Sequence, residues 1–230
     1  MIMGTQLEFY LEEIKKRLRK LHKLAAKSLV DAMDAFKELD PERATKVKEL
    51  SSQIEELSEK IEENVFETIA RRQPVAKDLR RLSVYSQISH SLYRVGRYSY
   101  KIAHITNLCE KLQHFKELQS LPYLADLAVK TLDIAMKGVL DEDLSKLDEL
   151  EKLEADSDRE TSEMFEEIAQ FLRERDDIEE MALFYIIVGR YCERAADQAF
   201  LIAEKAVYMV TGQRKKLGIA YKGKASQAPH

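Results

Sequence analysis

The 230 residues include 37 Lys and Arg against 41 Asp and Glu, a net charge of −4, and are 45% hydrophobic and 34% charged with 7 Gly, 4 Pro and no Trp. Charge lies above the usual share and turn-formers lie below it, which argues against a sandwich or barrel and for long helices. The apolar fraction is ample for a core, which argues against disorder. The longest apolar run, Met181 to Val188, falls far short of a membrane span, and the N-terminus lacks the basic region of a signal peptide. Cys109 and Cys192 stand apart from each other and from any Cys/His cluster, so two free thiols in a reducing cytoplasm are expected. A net charge near zero argues against a dedicated nucleic-acid binder.

Six helices are predicted. The first spans about Thr5 to Leu39, with Leu7, Leu11, Ile14, Leu18, Leu21 and Leu24 on one face. Asp40-Pro41 then reads as an N-cap followed by a first-turn proline. The second helix runs from Pro41 to about Arg72, with Val47, Leu50, Ile54, Leu57, Ile61 and Val65 inward, and Pro74 ends it. The third, from about Val75 to Lys116, is read as the longest, with Leu79, Leu82, Tyr85, Ile88, Leu92, Val95 and Ile102 as its stripe. A fourth, Pro122 to Lys137, stops at Gly138 as a C′ residue. Asp141 is read as capping a fifth that reaches about Arg175. The sixth, about Ile178 to Thr211, starts with capping-box spacing at Asp177 and Glu180 and closes at Gly212.

Charge is unevenly spread. Residues 141–167 hold 13 acids and 3 bases, whereas the first helix carries Lys15, Lys16, Arg17, Arg19, Lys20, Lys23 and Lys27. Both read first as solvated faces, and second as surfaces that pair within or between subunits. The stretch after Gly212 contains five bases and no acid and reads as a mobile tail.

The chain resembles itself at an offset of 100 residues. Tyr85 aligns with Tyr185, Ile88 with Val188, Arg94 with Arg194, Val95-Gly96 with Ala195-Ala196, and Ile102-Ala103 with Ile202-Ala203. The fold class this implies is all-α: two tandem three-helix bundles related by a pseudo-repeat. The expected units are 1–118 and 119–212, followed by a basic tail, 213–230. Gly96 and Gly189 sit mid-helix, where glycine costs up to about 1 kcal/mol relative to alanine, so each is expected at a close packing contact.

No nucleophile elbow, P-loop, HExxH or dinucleotide fingerprint occurs, and the five histidines are scattered, so an enzyme is disfavoured. Carboxylate pairs at helical spacing remain. Glu193 and Asp197 share one face of the sixth helix, and Glu154 and Asp158 share one face of the fifth. If these faces meet, four carboxylates surround one point, the donor set by which helical bundles hold hard or di-metal cations. On spacing alone the solvated-face reading carries more weight. A second candidate surface is the corner ARRQPVAKDLRR, where Arg71, Arg72, Lys77, Asp78, Arg80 and Arg81 cluster; it reads equally as an ordinary connection and as a dock for an acidic or phosphate group.

The segments ARRQPVAKDLRRL, YRVGRYSYKIA and ERAADQAFLIAEKAVYMVTGQ resemble the PhoU family over essentially the whole chain up to Gly212. The resemblance implies two tandem three-helix units and a non-enzymatic, cytoplasmic regulator that restrains phosphate uptake. It implies association with the ATPase of the phosphate ABC transporter and with a phosphate-sensing histidine kinase, and a homodimer that reaches the membrane only through its partner. It also implies a metal ion or small metal cluster, iron first, with zinc, nickel, manganese or magnesium as alternatives. Glu193 and Asp197 stand at the family's third-helix motif, and Glu154 and Asp158 stand in the preceding helix. The first unit departs from that pattern. Its motif reads Tyr93-Arg94-Val95-Gly96-Arg97, and its second helix offers Glu49 and Glu55 without a clean pair. One metal site, in the second unit, is therefore expected. A di-metal helical-bundle enzyme and a purely structural helical oligomer are the rival readings.

Overall fold

The computed structural model describes residues 2–218. Among them are six helices and no strand: α1 (Ile2–Glu38), α2 (Pro41–Arg72), α3 (Ala76–Leu108), α4 (Ser120–Leu140), α5 (Glu149–Glu174) and α6 (Glu179–Thr211). α1, α2 and α3 pack on one another, as do α4, α5 and α6, and the two bundles meet where α3 lies on α6 and α1 on α4. α1 does not pack against α5, and among the described residues the basic helix meets the acidic stretch only at its start, where Arg19 lies 3.6 Å from Asp141.

Local chemistry sets most of the boundaries. The Asp40 side chain accepts hydrogen bonds from the Glu42 and Arg43 N–H groups at 2.9 and 3.0 Å, with Pro41 in the first turn. Two donors that the helix leaves orphaned are thereby satisfied. Gln73 ends α2 in the left-handed region, and Gly212 (φ 77°) ends α6 the same way.

Three expected boundaries are corrected. α3 stops at Leu108, which leaves α1 the longest helix, at 37 residues. The Cys109 N–H is shared between the Ile105 and Thr106 carbonyls, a tightened last turn. The chain beyond it is irregular but still packs Leu112, Phe115 and Leu118 on the core, which is why its apolar spacing passed for helix. α4 runs through Gly138 to Leu140, and Gly138 instead admits α6: a Cβ there would lie 3.1 Å from the Ala206 Cβ. Asp141 closes α4 rather than opening α5, which begins only at Glu149. At the start of α6, Asp177 pairs with Arg175 at 2.6 Å and caps nothing.

The inward stripes pack on the core as expected, with Leu7, Leu24, Leu50 and Leu57 half-buried at its margin, except that Leu79 is exposed. Gly96 and Gly189 both answer tight contacts. Added Cβ atoms would lie 2.9 Å from Ile54 Cγ2 and 2.8 Å from Met164 Cε respectively. Packing within the second unit is uneven, for α5 buries only Leu150, Met164 and Ile168.

Polar links cross the seam between the units, His22 to Asp133 at 2.8 Å and a half-buried staple at His114 among them. His114 Nε2 lies 3.0 and 3.1 Å from the Phe36 and Lys37 carbonyls, and Nδ1 lies 2.8 Å from the Tyr185 hydroxyl. A carbonyl can only accept, so Nε2 carries the proton and Nδ1 accepts from Tyr185. Burial holds the His114 pKa below its ordinary value against the two carbonyl contacts, which pull it up. The unfolded chain therefore takes up this proton more readily than the folded one, and stability is lost as pH falls below about 6.5. Urea unfolding between pH 7.5 and 5.5 should show a steeper loss in the wild type than in His114→Gln; parallel curves would remove His114 from the account.

Candidate functional site

The four carboxylates singled out by spacing come together. Glu154 and Asp158 from α5 and Glu193 and Asp197 from α6 line one open cavity of about 360 Å³. Glu204, a further two turns along α6, lines it too. Glu204 was not among the carboxylates singled out by spacing, yet its seven-residue separation from Asp197 puts both on one stripe of α6. Thr131 of α4 adds to the wall.

Crowding is visible in the electrostatics. The Asp197 carboxyl is pushed above its ordinary range, first by desolvation at the cavity wall and then by the negative charge of Glu193, with Asp158 adding to it. Arg190 offsets part of this, and donates to both oxygens of Glu193 at 2.7 Å. The donor set fits a hard, oxygen-seeking cation. The oxygens do not yet converge: among the described residues no three His, Cys, Asp or Glu side chains are grouped closely enough to hold a metal ion. A cation there would have to draw the carboxylates of α5 and α6 inward. The shallow packing of α5 makes that the least costly movement in the unit.

The same place in the first unit is filled differently. The Tyr93 hydroxyl donates to Glu55 Oε1 at 3.2 Å, and Arg97 lies 4.8 Å over the Tyr100 ring. A phenol and a guanidinium take the positions that carry carboxylates in the second unit.

The basic corner is largely consumed by its own chain. Arg80 Nε donates to the Met209 carbonyl at 3.3 Å and its guanidinium lies 5.8 Å over the Tyr208 ring, which ties α3 to the end of α6. Arg81 pairs with Asp78 and with Glu142 of the α4–α5 connection. Arg72 stacks 4.9 Å over the Tyr10 ring. Arg71 pairs with Glu67 at 2.7 Å on the surface. The outer face of the corner is thus Arg71, Lys77, Val75 and Leu79, with Val75 75% exposed.

Residues 213–230 read as a mobile tail in the sequence, yet Lys216 and Leu217 form part of the cavity's lining. Residues 219–230 lie outside those described. No helix among the described residues is long and apolar enough to cross a membrane.

The fold and site together define a duplicated three-helix protein with an acidic cavity in its second copy. A family model described as the PhoU domain matches the chain twice, over residues 18–106 and 121–206. The chain belongs to the PhoU family. It is 30% identical over 217 residues to the phosphate-specific transport system accessory protein PhoU homolog 1 of Thermotoga maritima, covering 94% of each chain. The crystal structure of PhoU from Pseudomonas aeruginosa superposes with a TM-score of 0.84 at 26% identity, over 90% of this chain and 99% of that one. The phosphate transport system regulatory protein PhoU from Streptococcus pneumoniae shares the fold, with a TM-score of 0.82 at 21% identity over 92% and 100% of the two chains.

If the cavity's carboxylates repel, removing one charge should not weaken the fold. With divalent cations chelated, Asp197→Asn is expected to unfold at the same urea concentration as wild type or higher, by up to about 1 kcal/mol. A loss of 1 kcal/mol or more would show that Asp197 holds the fold through a contact of its own.

Proposed function

We propose that this protein is a non-enzymatic, cytoplasmic adaptor that restrains the phosphate ABC transporter. It would do so by docking on the transporter's ATPase subunit, with a cation bound in the cavity of its second unit. The observation that carries the reading is similarity along almost the full length to phosphate-specific transport accessory proteins. The chemistry of the cavity supports it. Glu154, Asp158, Glu193 and Asp197 are the residues that would hold the cation, iron first, and its role there is to cancel their mutual repulsion. Neutralising the cavity would fasten α5, the helix with least apolar burial, onto α6, and so fix the surface offered to a partner.

The outer face of the basic corner is the part of that surface best suited to the ATPase. Arg71 and Lys77 flank the exposed Val75 and Leu79, an apolar centre with a charged rim. Arg72, Arg80 and Arg81 act beneath it by holding α1, α3, α6 and the α4–α5 connection in place.

Affinity capture from cells grown in low and in high phosphate tests the reading. The transporter's ATPase subunit is expected with the wild-type chain. It should be captured at least severalfold less with Val75→Asp combined with Lys77→Glu. Equal capture by both would remove the corner from the interface, and failure of the wild type to capture any transporter subunit in either medium would contradict the adaptor reading.

A further inference from the structure

The chain does not leave the molecule after Gly212. A left-handed turn at that glycine passes it beneath the Arg80 guanidinium, 3.1 Å from where a Cβ would stand. Arg214 then lies 5.2 Å over the Tyr208 ring, so the strap is pinned on a ring that Arg80 also stacks upon. Two residues later the strap reaches Glu204. Lys216 Nζ lies 3.0 Å from Oε2, and the Leu217 N–H donates to Oε1 at 3.0 Å. With both oxygens engaged, the Glu204 side chain is only 12% exposed. Leu217 packs its side chain onto the core.

Gly218 completes the span. A Cβ at that position would stand 3.0 and 3.1 Å from the two oxygens of Glu154, and its φ of 107° is a conformation that side chains rarely adopt. Residues 213–218 are therefore bonded to α6 through Glu204 and lie close against Glu154 of α5. They cross the same cavity that is lined by Asp158, Glu193 and Asp197.

We propose that this strap is a built-in occupant of the acidic cavity, and that a divalent cation and the strap compete for it. The proposal rests on the reading that the cavity takes a cation. Lys216 supplies one positive charge and Leu217 one further donor to carboxylates that repel one another. A divalent cation supplies more charge at a single point. For it to collect oxygens from both helices, Glu154 must turn inward and away from Gly218, and the charge it brings beside Glu204 weakens that carboxylate's hold on Lys216 and Leu217. Each occupant relieves the same repulsion, so binding of one weakens the other by an equal factor. Cation binding then releases a basic segment, Arg214-Lys215-Lys216, from the face of α6.

Trypsin reports on that release, because it cleaves after each of those three residues. The full-length chain, freed of metal, is titrated with Mn²⁺ while cleavage after residues 214–216 is followed by mass spectrometry. Cleavage should accelerate with Mn²⁺ by roughly fivefold or more, the range of ordinary coupling between sites. Gly218→Val changes no charge but sets a branched side chain against Glu154. It should be cleaved faster without metal, and calorimetry should show that it binds Mn²⁺ several-fold more tightly than wild type. If Mn²⁺ binds wild type and Gly218→Val equally and leaves cleavage unchanged, the strap proposal falls while the cavity reading stands. If Mn²⁺ binds neither protein, both fall.

Discussion

Like charges held in a partly covered cavity set the terms for the second half of this molecule. Five carboxylates from α5 and α6 line one space, and the Asp197 carboxyl already registers the presence of Glu193 and Asp158. Such an arrangement persists only if something positive answers it or if the helices bearing it are free to stand apart. Both conditions are met. Arg190 and Lys216 each engage one carboxylate, and α5 is held by few buried side chains. The acidic cavity and the loosely held helix are two aspects of one physical compromise.

The first unit shows the alternative solution. There the equivalent positions carry Tyr93 and Arg97, and the phenol bonds directly to Glu55 across the helix pair. Two serines add a second polar link in the same interface, half-buried Ser58 to buried Ser89 at 3.0 Å. Gly96 lets α2 and α3 approach until Ile54 fills the space where a side chain would stand. The first unit is thus closed by its own contacts. It offers a firm base through the α3–α6 seam, where Tyr98 stacks on Tyr191 at 6.1 Å and His114 joins the end of α1 to Tyr185. Duplication followed by divergence has left one copy as scaffold and one as the adjustable half.

Much of this was legible in the residues themselves. Helical periodicity, the Asp40-Pro41 cap and the Gly212 stop each have a strictly local cause, and each placed its element correctly. The repeat at an offset of 100 residues gave the two-unit architecture, because the buried positions Tyr85 and Tyr185, Ile88 and Val188, and Ile102-Ala103 and Ile202-Ala203 keep the same residue types in both copies. Boundaries failed where tertiary contacts overrode local signals. Residues 109–118 keep an apolar rhythm because they cover the core as an irregular strand of chain, not as helix. Gly138 serves a close helix approach instead of a helix end. The four carboxylates were found by spacing, but the strap was not, since a basic, glycine-containing segment looks solvated until the acid it answers is placed beside it. The same blindness hid Arg80 and Arg81, whose partners lie 129 and 61 residues away.

The central claim is that positive charge is drawn to the cavity between α5 and α6, and not to its counterpart in the first unit. Anomalous diffraction from crystals of the full-length protein grown with Mn²⁺ tests this most directly. The account predicts a peak within about 2.0–2.6 Å of carboxylate oxygens contributed by both helices, Glu193 or Asp197 among them, and no peak beside Tyr93 and Arg97. A cation bound beside Glu55 in the first unit, or a cavity between α5 and α6 without a peak at saturating Mn²⁺, would contradict it.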